Sequence, residues 1–315
     1  MTELFKSELE KRVFISLQKG IELSSRPLCK ISSELQVSEP EIISFYNSFL
    51  ERGMVRRFGA IFEPAKIGYR SILCASKIEE EQFSKLAEKL LNIKEITHCY
   101  TRDYEYNVWF TFTCRQELFK KSLDEIRNII GYPILEFPSV RKFKTEVIFK
   151  LGISAPPAES FKNPISGQIV FDDNDISLAK KLYNISLLPN ILETFSEDVL
   201  ARLKYWRDRA VLKRVALVPY HRNIGYKANA MCVWNVEKQR TEIVGRELSK
   251  KASITHCYER VPISGKFPYN LFAMIHAGSH SELTDEFRKL QIEFNLENGR
   301  MLETVSELKK TSFYP

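Results

Sequence analysis

Along this chain the spacing of apolar residues switches between a helical period and an alternating one, and the switch happens twice. Residues 3–52 keep the helical period with two breaks, as "ELFKSELEKRVFISLQ", "PLCKISSELQ" and "SEPEIISFYNSFLERG". In the third segment Ser38 followed by Glu41 predicts a capping box. Pro40 falls in the first turn, where its missing N–H costs nothing, and Gly53 stops the helix. Three short helices ahead of a strand predict a winged helix-turn-helix. Alternation then takes over in "RRFGAIFEPAKIGYRSILCASKI", followed by the helix "EEEQFSKLAEKLLNI", the strand pair in "ITHCYTRDYEYNVWFTF", the helix "QELFKKSLDEIRNII" and the strand "VRKFKTEVIFKL". This β-α-β-β-α-β order predicts a ferredoxin-like sandwich.

The pattern then restarts. "ISLAKKLYNI", "NILETF" and "SEDVLARLKYWRDRAV" repeat the helices loosely, and "IGYKANAMCVWNV" answers "IGYRSILCASKI". Ile-Thr-His-Cys-Tyr occurs at Ile96 and again at Ile254, each time followed by a Tyr-Asn pair, Tyr106-Asn107 and Tyr269-Asn270. Gly68 pairs with Gly225, and Arg57 with Arg214 at the same offset; "VPISG" lengthens the second hairpin by five residues. Ordered matches of this kind mark an internal duplication. "GISAPPAESFKNPISGQ" between the copies is linker chemistry. The expected fold is α+β, a tandem duplication. A winged helix-turn-helix at 1–55 and a ferredoxin-like domain at 56–150 precede a linker at 151–173. A degenerate helix-turn-helix at 174–212 and a second ferredoxin-like domain at 213–315 follow. The ferredoxin-like sheets are expected to pair as a pseudo-dimer within the chain, with further homo-oligomerisation left open. This domain order resembles the Lrp/AsnC regulators, which makes a transcriptional regulator, heme-responsive or not, the alternative to an enzyme.

Charge bears on that choice. The chain of 315 residues carries a formal net charge of +7, which favours an anionic partner, nucleic acid or an acidic small molecule. A DNA-reading helix needs basic or amide side chains at its exposed start. Here it opens Ser38-Glu39-Pro40-Glu41, and the second copy has Glu197 and Asp198 in the equivalent place, so specific DNA binding is disfavoured. No apolar run approaches 18 residues and the start "MTELFKSELEKRVF" is charged, so neither a membrane span nor a signal peptide is expected. The six dispersed cysteines, with no C-x-x-C, read as reduced thiols of a cytoplasmic protein and give no metal site.

Strand alternation puts His98, Tyr100 and Arg102 on one face and Cys99 on the other, and does the same for His256, Tyr258 and Arg260 against Cys257. One such strand is ordinarily a partly buried polar strand at an interface. Two copies, each with its Tyr-Asn pair, point to a ligand wall. His221 and Arg222 precede the second Gly-Tyr strand where the first copy has Pro64-Ala65, so the copies are chemically unequal.

The segments "RRFGAIFEPAKIGYRSILCASK", "THCYTRDYEYNVWFT" and "FPSVRKFK" resemble the D/A-type subunit of the siroheme decarboxylases. "HRNIGYKANAMCVWNV", "ITHCYERVP" and "FPYNLFAMIH" resemble the L/B-type subunit. The resemblance covers nearly the whole chain. It implies a fused carbon–carbon lyase of the alternative heme or heme d1 pathway, one that removes two acetate carboxylates from siroheme to give 12,18-didecarboxysiroheme. One stretch departs from it: where Arg-Arg-Phe-Gly-Ala would recur, the chain has "KRVALVPYHR", keeping only Arg214.

Such a substrate is a flat apolar ring edged with carboxylates, and arginine meets a carboxylate with two parallel hydrogen bonds. Arg56, Arg57, Arg102, Arg214, Arg222 and Arg260 are the candidate anchors. His98, Tyr100, Asn107, Trp109, Tyr226, Asn229, Tyr258, Tyr269 and Asn270 are further candidate wall residues; Tyr69, Trp234 and Phe267 are apolar candidates, Trp234 reading more as core. Decarboxylation leaves an electron-rich carbon that needs a proton, a task for histidine. His221 and His256 are the expected acids, and either can instead face the siroheme iron as an axial ligand. The ring itself delocalises charge, so no separate cofactor is expected and the iron belongs to the substrate.

Overall fold

The computed structural model describes residues 4–145, 147–153, 169–185, 195–311 and 314. They form two compact units that do not follow the two halves of the sequence. One takes residues 1–68, 148–225 and 314–315, the other 69–147 and 226–313.

The first unit gathers the helical segments of both halves. It contains α1 (Glu8–Lys19), α2 (Cys29–Leu35), α3 (Glu39–Glu51), α6 (Asp173–Tyr183) and α7 (Glu197–Asp208). Ser38 and Glu41 form the expected capping box at α3, and Asp172 and Asp175 form a second at α6. Arg202 of α7 donates its Nε to Asp175 Oδ1 at 2.6 Å, tying the last two helices together. The sequence segment "NILETF" lies almost wholly outside the described residues, as does most of the linker.

β1 (Val55–Phe62) and β7 (Leu212–Pro219) pair antiparallel as a separate two-stranded ribbon, with Gly59 opposite Ala216. Sequence reading placed these strands in the ferredoxin-like domains. They pair instead with each other, so the unit boundaries fall at Gly68/Tyr69 and Gly225/Tyr226 rather than at 55 and 212. The C-terminus of α6 rests on this ribbon. A Cβ on Gly59 would lie 2.4 Å from the Tyr183 carbonyl oxygen, and Ile185 N donates to Phe58 O at 2.7 Å. A short 3₁₀ turn follows each strand, Pro64–Ile67 and His221–Ile224, and is closed by Gly68 (φ 79°) or Gly225 (φ 97°). The duplicated glycine is thus explained by a left-handed cap that side chains disfavour.

The second unit is one nine-stranded antiparallel sheet with strands from both halves. The first half supplies β2 (Tyr69–Ser76), β3 (Ile96–Arg102), β4 (Val108–Arg115), β5 (Ile134–Phe137) and β6 (Ser139–Lys144). The second supplies β8 (Ala228–Trp234), β9 (Ile254–Arg260), β10 (Leu271–Ala277) and β11 (Gly299–Lys310). Their order is β5-β2-β4-β3-β11-β8-β10-β9-β6. The last strand of each copy is shared. β5 pairs with β2 of its own copy, and beyond Pro138 β6 pairs with β9 of the other. Likewise the first part of β11 pairs with β8 and the second part with β3. The halves therefore exchange strand ends within one chain, which joins the two ferredoxin-like copies through their sheets as expected.

Helices α4 (Glu80–Asn92) and α5 (Phe119–Ile130) cover an apolar cluster on the first copy. α8 (Lys238–Lys250) and α9 (His280–Phe294) cover one on the second. Trp234 belongs to the latter, fully buried beside Phe287, as core. A third cluster on the other sheet face joins Trp109, Leu135 and Phe137 to Met231, Phe267, Phe272 and Leu302. The five-residue insertion of the second hairpin has a role here: its bridge Ile263↔Phe267 seats Phe267 against Trp109 and Phe137.

Candidate active site

β3 and β9 carry the repeated His-x-Tyr-x-Arg, and their faces alternate as expected. Cys99 and Cys257 are fully buried under the helices, and burial pushes each thiol up to about 12. On the opposite face His98 stacks beside Tyr100 (centroids 6.4 Å, 24°) and His256 beside Tyr258 (6.3 Å, 11°). Thr97 Oγ1 lies 3.0 Å from His98 Nδ1, and Thr255 Oγ1 lies 3.1 Å from His256 Nδ1. The arginines close each row: Arg102 sits over the Tyr100 ring at 5.4 Å and Arg260 over Tyr258 at 4.7 Å. Each row presents an imidazole, a phenol and a guanidinium in sequence.

Both arginines cross to the other half. Arg102 Nη1 donates to Leu302 O at 2.9 Å and to Thr304 Oγ1 at 3.2 Å, while its Nη2 reaches Met274 Sδ at 3.9 Å. Thr304 in turn donates to Asn229 Oδ1 at 2.9 Å. Arg260 Nη1 donates to Phe137 O at 2.5 Å. Among the described residues no carboxylate pairs with either guanidinium, and the Nε of each has no hydrogen-bond partner. Burial lowers both to about 10, opposed by the neighbouring Tyr100 or Tyr258, so each keeps its charge at neutral pH. A buried cation without a counter-charge is costly. An incoming carboxylate would relieve that cost.

Tyr226 and Asn229 fall in the same unit. Tyr226 meets His276 edge-on at 6.5 Å, and Asn229 lies opposite His276 across the β8–β10 ladder. His276 was not among the expected site residues. Its strand position is taken by Thr113 in the first copy, so the repeat gave no signal for it; only its place in "NLFAMIH" did.

Other expected wall residues are committed to the fold. Asn107 accepts from Ile78 N (3.0 Å) and donates to Ile78 O (2.7 Å); Asn270 does the same for Val236 (2.9 and 2.7 Å). Each amide pins the residue just after its copy's first strand, which explains why the Tyr-Asn pair is duplicated. Trp109 is fully buried and donates to Tyr106 O at 2.6 Å, and Tyr269 packs its ring on Phe267. The amides of Asn107 and Asn270 and the indole N–H of Trp109 are already spent on the backbone.

The remaining candidates lie in the first unit. His221 opens the 3₁₀ turn after β7; it is buried and its ring stacks on Phe149 (6.2 Å, 12°). Asn223 Nδ2 holds that turn to Gly53 O at 2.8 Å. Arg222 beside it is exposed. On the ribbon, Arg57 donates to Tyr183 O at 2.6 Å and to Ala60 O at 3.2 Å, and lies 4.4 Å over the Tyr183 ring. It serves as a cap for α6 rather than as an open anchor. Burial lowers it to about 10, and nearby Arg56 and Arg214 add to the depression. Three guanidinium groups thus cluster on one ribbon, with Arg56 and Arg214 half-buried.

Comparison with known proteins decides the family. The model for the AsnC-like ligand binding domain matches residues 66–144 and 223–309, in step with the two copies. The siroheme decarboxylase of Hydrogenobacter thermophilus is 29% identical over 93% of this chain and 91% of its own length. The siroheme decarboxylase alpha subunit of Oleidesulfovibrio alaskensis is 34% identical over 46% of this chain and 88% of that subunit. The chain belongs to the siroheme decarboxylase family. The crystal structure of the siroheme decarboxylase NirDL shares its fold, with a TM-score of 0.73 at 24% identity over 98% of this chain and 94% of NirDL. NirDL has also been solved in co-complex with an iron-uroporphyrin III analogue, with a TM-score of 0.71 at 23% identity over the same shares of each chain. Within the family the alpha subunit matches less than half of this chain, in keeping with two subunit-like halves joined here. Among the described residues, no helix is long and apolar enough to cross a membrane.

Proposed function

We propose that the protein removes carbon dioxide from two acetate side chains of siroheme, giving 12,18-didecarboxysiroheme. The observation that carries this reading is the pair of desolvated arginines, buried Arg102 and half-buried Arg260, each with a buried Nε. Each ends a His-Tyr row and has no carboxylate partner among the described residues. Family membership supports the substrate class, and the net charge of +7 suits a polyanionic ring.

In the proposed chemistry the bond between the acetate methylene and its carboxylate breaks. Carbon dioxide leaves, the electron pair passes into the macrocycle, and one proton adds to the methylene carbon to make a methyl group. Arginine side chains hold the other carboxylates and fix the ring, so the departing group is the one that loses its hydration. We assign Arg102 and Arg260 as anchors in the sheet unit, and Arg56, Arg214 and Arg222 as further anchors in the helical unit. His256 and His221 are the proposed proton donors; His256, half-buried and in line with Tyr258 and Arg260, has the more open setting. The iron belongs to the substrate and the reading needs no added cofactor, since the ring is its own electron sink. Six free cysteines fit a reducing cytoplasm. Specific DNA binding has no part in this reading, because Glu39 and exposed Glu41 open α3. The test is anaerobic incubation with siroheme, followed by product mass.

A further inference from the structure

Arg102 belongs to the first copy, yet its guanidinium ends among residues of the second. Its Nη1 donates to Leu302 O at 2.9 Å and to Thr304 Oγ1 at 3.2 Å, and its Nη2 reaches Met274 Sδ at 3.9 Å. Thr304 lies opposite Arg102 in the β3–β11 ladder and donates its own hydroxyl proton to Asn229 Oδ1 at 2.9 Å. Met274 in turn lies opposite His256, and Asn229 opposite His276. Directly opposite residues in an antiparallel pair share a sheet face. Arg102, Thr304, Asn229, Met274, His276 and His256 therefore form one polar line on one face, running across β3, β11, β8, β10 and β9. Thr304 is its joint. A hydroxyl both accepts and donates, so it holds a guanidinium on one side and an amide oxygen on the other.

The equivalent line stops short in the other direction. Ser139 lies opposite Arg260 as Thr304 lies opposite Arg102, but Ser139 is exposed, and among the described residues it makes no hydrogen bond to Arg260. Ser71 and Thr113 hold the positions of Asn229 and His276, and their hydroxyls lie 2.8 Å from each other. Arg260 rests on the Phe137 carbonyl and on the Tyr258 and Phe272 rings. Only Arg102, of the two, is aimed by a neighbouring side-chain hydroxyl. Strand cohesion does not account for that hydroxyl. On the helix side of the sheet the same two strands are already joined by Thr101 and Ser306, whose hydroxyls lie 2.8 Å apart.

We infer that Thr304 is a positioning residue for substrate binding. It aims Arg102 across β11 into the face of the second copy, where the guanidinium holds a carboxylate of the ring on which His256 acts. The inference rests on the functional reading above and deepens it by naming the copy that Arg102 serves. Without the hydroxyl the long arginine side chain regains rotamer freedom, and part of the binding energy goes into ordering it. The carboxylate that Arg102 holds stays on the ring, so the contact is the same before and during bond breaking. Its weakening raises KM and leaves kcat in place. One hydrogen bond of this kind corresponds to about a three- to tenfold change in affinity.

The test uses the full-length protein and siroheme under anaerobic conditions. Binding titrations and steady-state decarboxylation are compared for the wild type, Thr304→Val, Thr304→Ala, Thr304→Ser, Thr101→Val, Arg102→Lys and the double variant Thr304→Val/Arg102→Lys. Thr304→Val keeps the shape and removes the hydroxyl. It is expected to weaken siroheme binding about three- to tenfold and to raise KM by the same factor, with kcat at saturation kept. Thr304→Ala, which adds no bulk, shows the same loss, and Thr304→Ser binds as the wild type does. Thr101→Val removes a hydroxyl contact between the same two strands on the other face; it keeps wild-type affinity even where thermal unfolding shows it destabilised. In the double variant the two losses fall short of adding, because Thr304 acts through the arginine fork. Wild-type affinity in Thr304→Val and Thr304→Ala overturns the inference, and so does an equal loss in Thr101→Val or full additivity in the double variant. A wild-type protein that binds no siroheme would overturn the functional reading itself, and the first titration separates the two failures.

Discussion

Arg260 donates its Nη1 to the backbone carbonyl of Phe137 at 2.5 Å, joining β9 of the second copy to β5 of the first. Arg102 makes the mirror contact with Leu302 at 2.9 Å. A side chain proposed to hold substrate therefore also holds the strand exchange. Arg260→Ala and Arg102→Ala should each lower stability by about 1.5–3 kcal/mol, the range for a hydrogen bond to a charged group, as well as weaken siroheme binding. Urea unfolding paired with a binding titration checks both effects. Loss of binding at unchanged stability would show that the carbonyl contacts are incidental.

The asparagine clamps give the complementary case. Asn270→Ala leaves Val236 N without its acceptor and Val236 O with only the longer bond from Thr241 Oγ1 (3.4 Å), and Asn107→Ala removes both side-chain bonds at Ile78. Each substitution should cost about 1–3 kcal/mol of stability. Decarboxylation per folded molecule should stay near the wild-type rate at a temperature where the variant remains folded. A large fall in kcat at retained stability would return these residues to the site.

The ionisation of the site predicts how binding and turnover separate with pH. Burial lowers Arg102 and Arg260 to about 10. Both anchors stay charged below that value and lose charge as pH rises through it, so siroheme affinity should hold through neutrality and fall near pH 10. A histidine acid must instead be protonated to act, and imidazole as a class gives up its proton at far lower pH than guanidinium. Turnover should therefore decline with rising pH well before binding does. Parallel profiles for binding and kcat would contradict the separation of roles.

How much of this was legible beforehand follows from how local each signal is. The duplication, the capping box at Ser38 and the two faces of the His-Cys strands were readable, because spacing along the chain encodes them. The pairing of β1 with β7 and the exchange of β6 and β11 were not, since strand alternation states which face is buried but never which partner is chosen. Arg57 looked like an anchor because the carbonyl it caps, Tyr183, is remote in sequence. Asn107 and Asn270 were singled out by their repetition, but repetition marks structural demands as readily as chemical ones.

The histidines are expected to rank by position. A general acid contributes about 10²–10⁴-fold in rate. His256→Ala and His221→Ala should each reduce single-turnover decarboxylation within that range while siroheme still binds. His98→Ala should cost less, because the first copy has Pro64-Ala65 where the second has His221 and Arg222. Single-turnover rates for the three variants decide it; a larger loss for His98→Ala than for the other two would place the chemistry in the first copy.

The most direct test of the account is the mass of the product. Purified protein is incubated with siroheme without oxygen, and the tetrapyrrole is extracted and weighed by mass spectrometry. The account predicts a time-dependent loss of two carbon dioxide units with the iron retained and no oxidant added. Siroheme recovered unchanged from protein that demonstrably binds it would contradict the account.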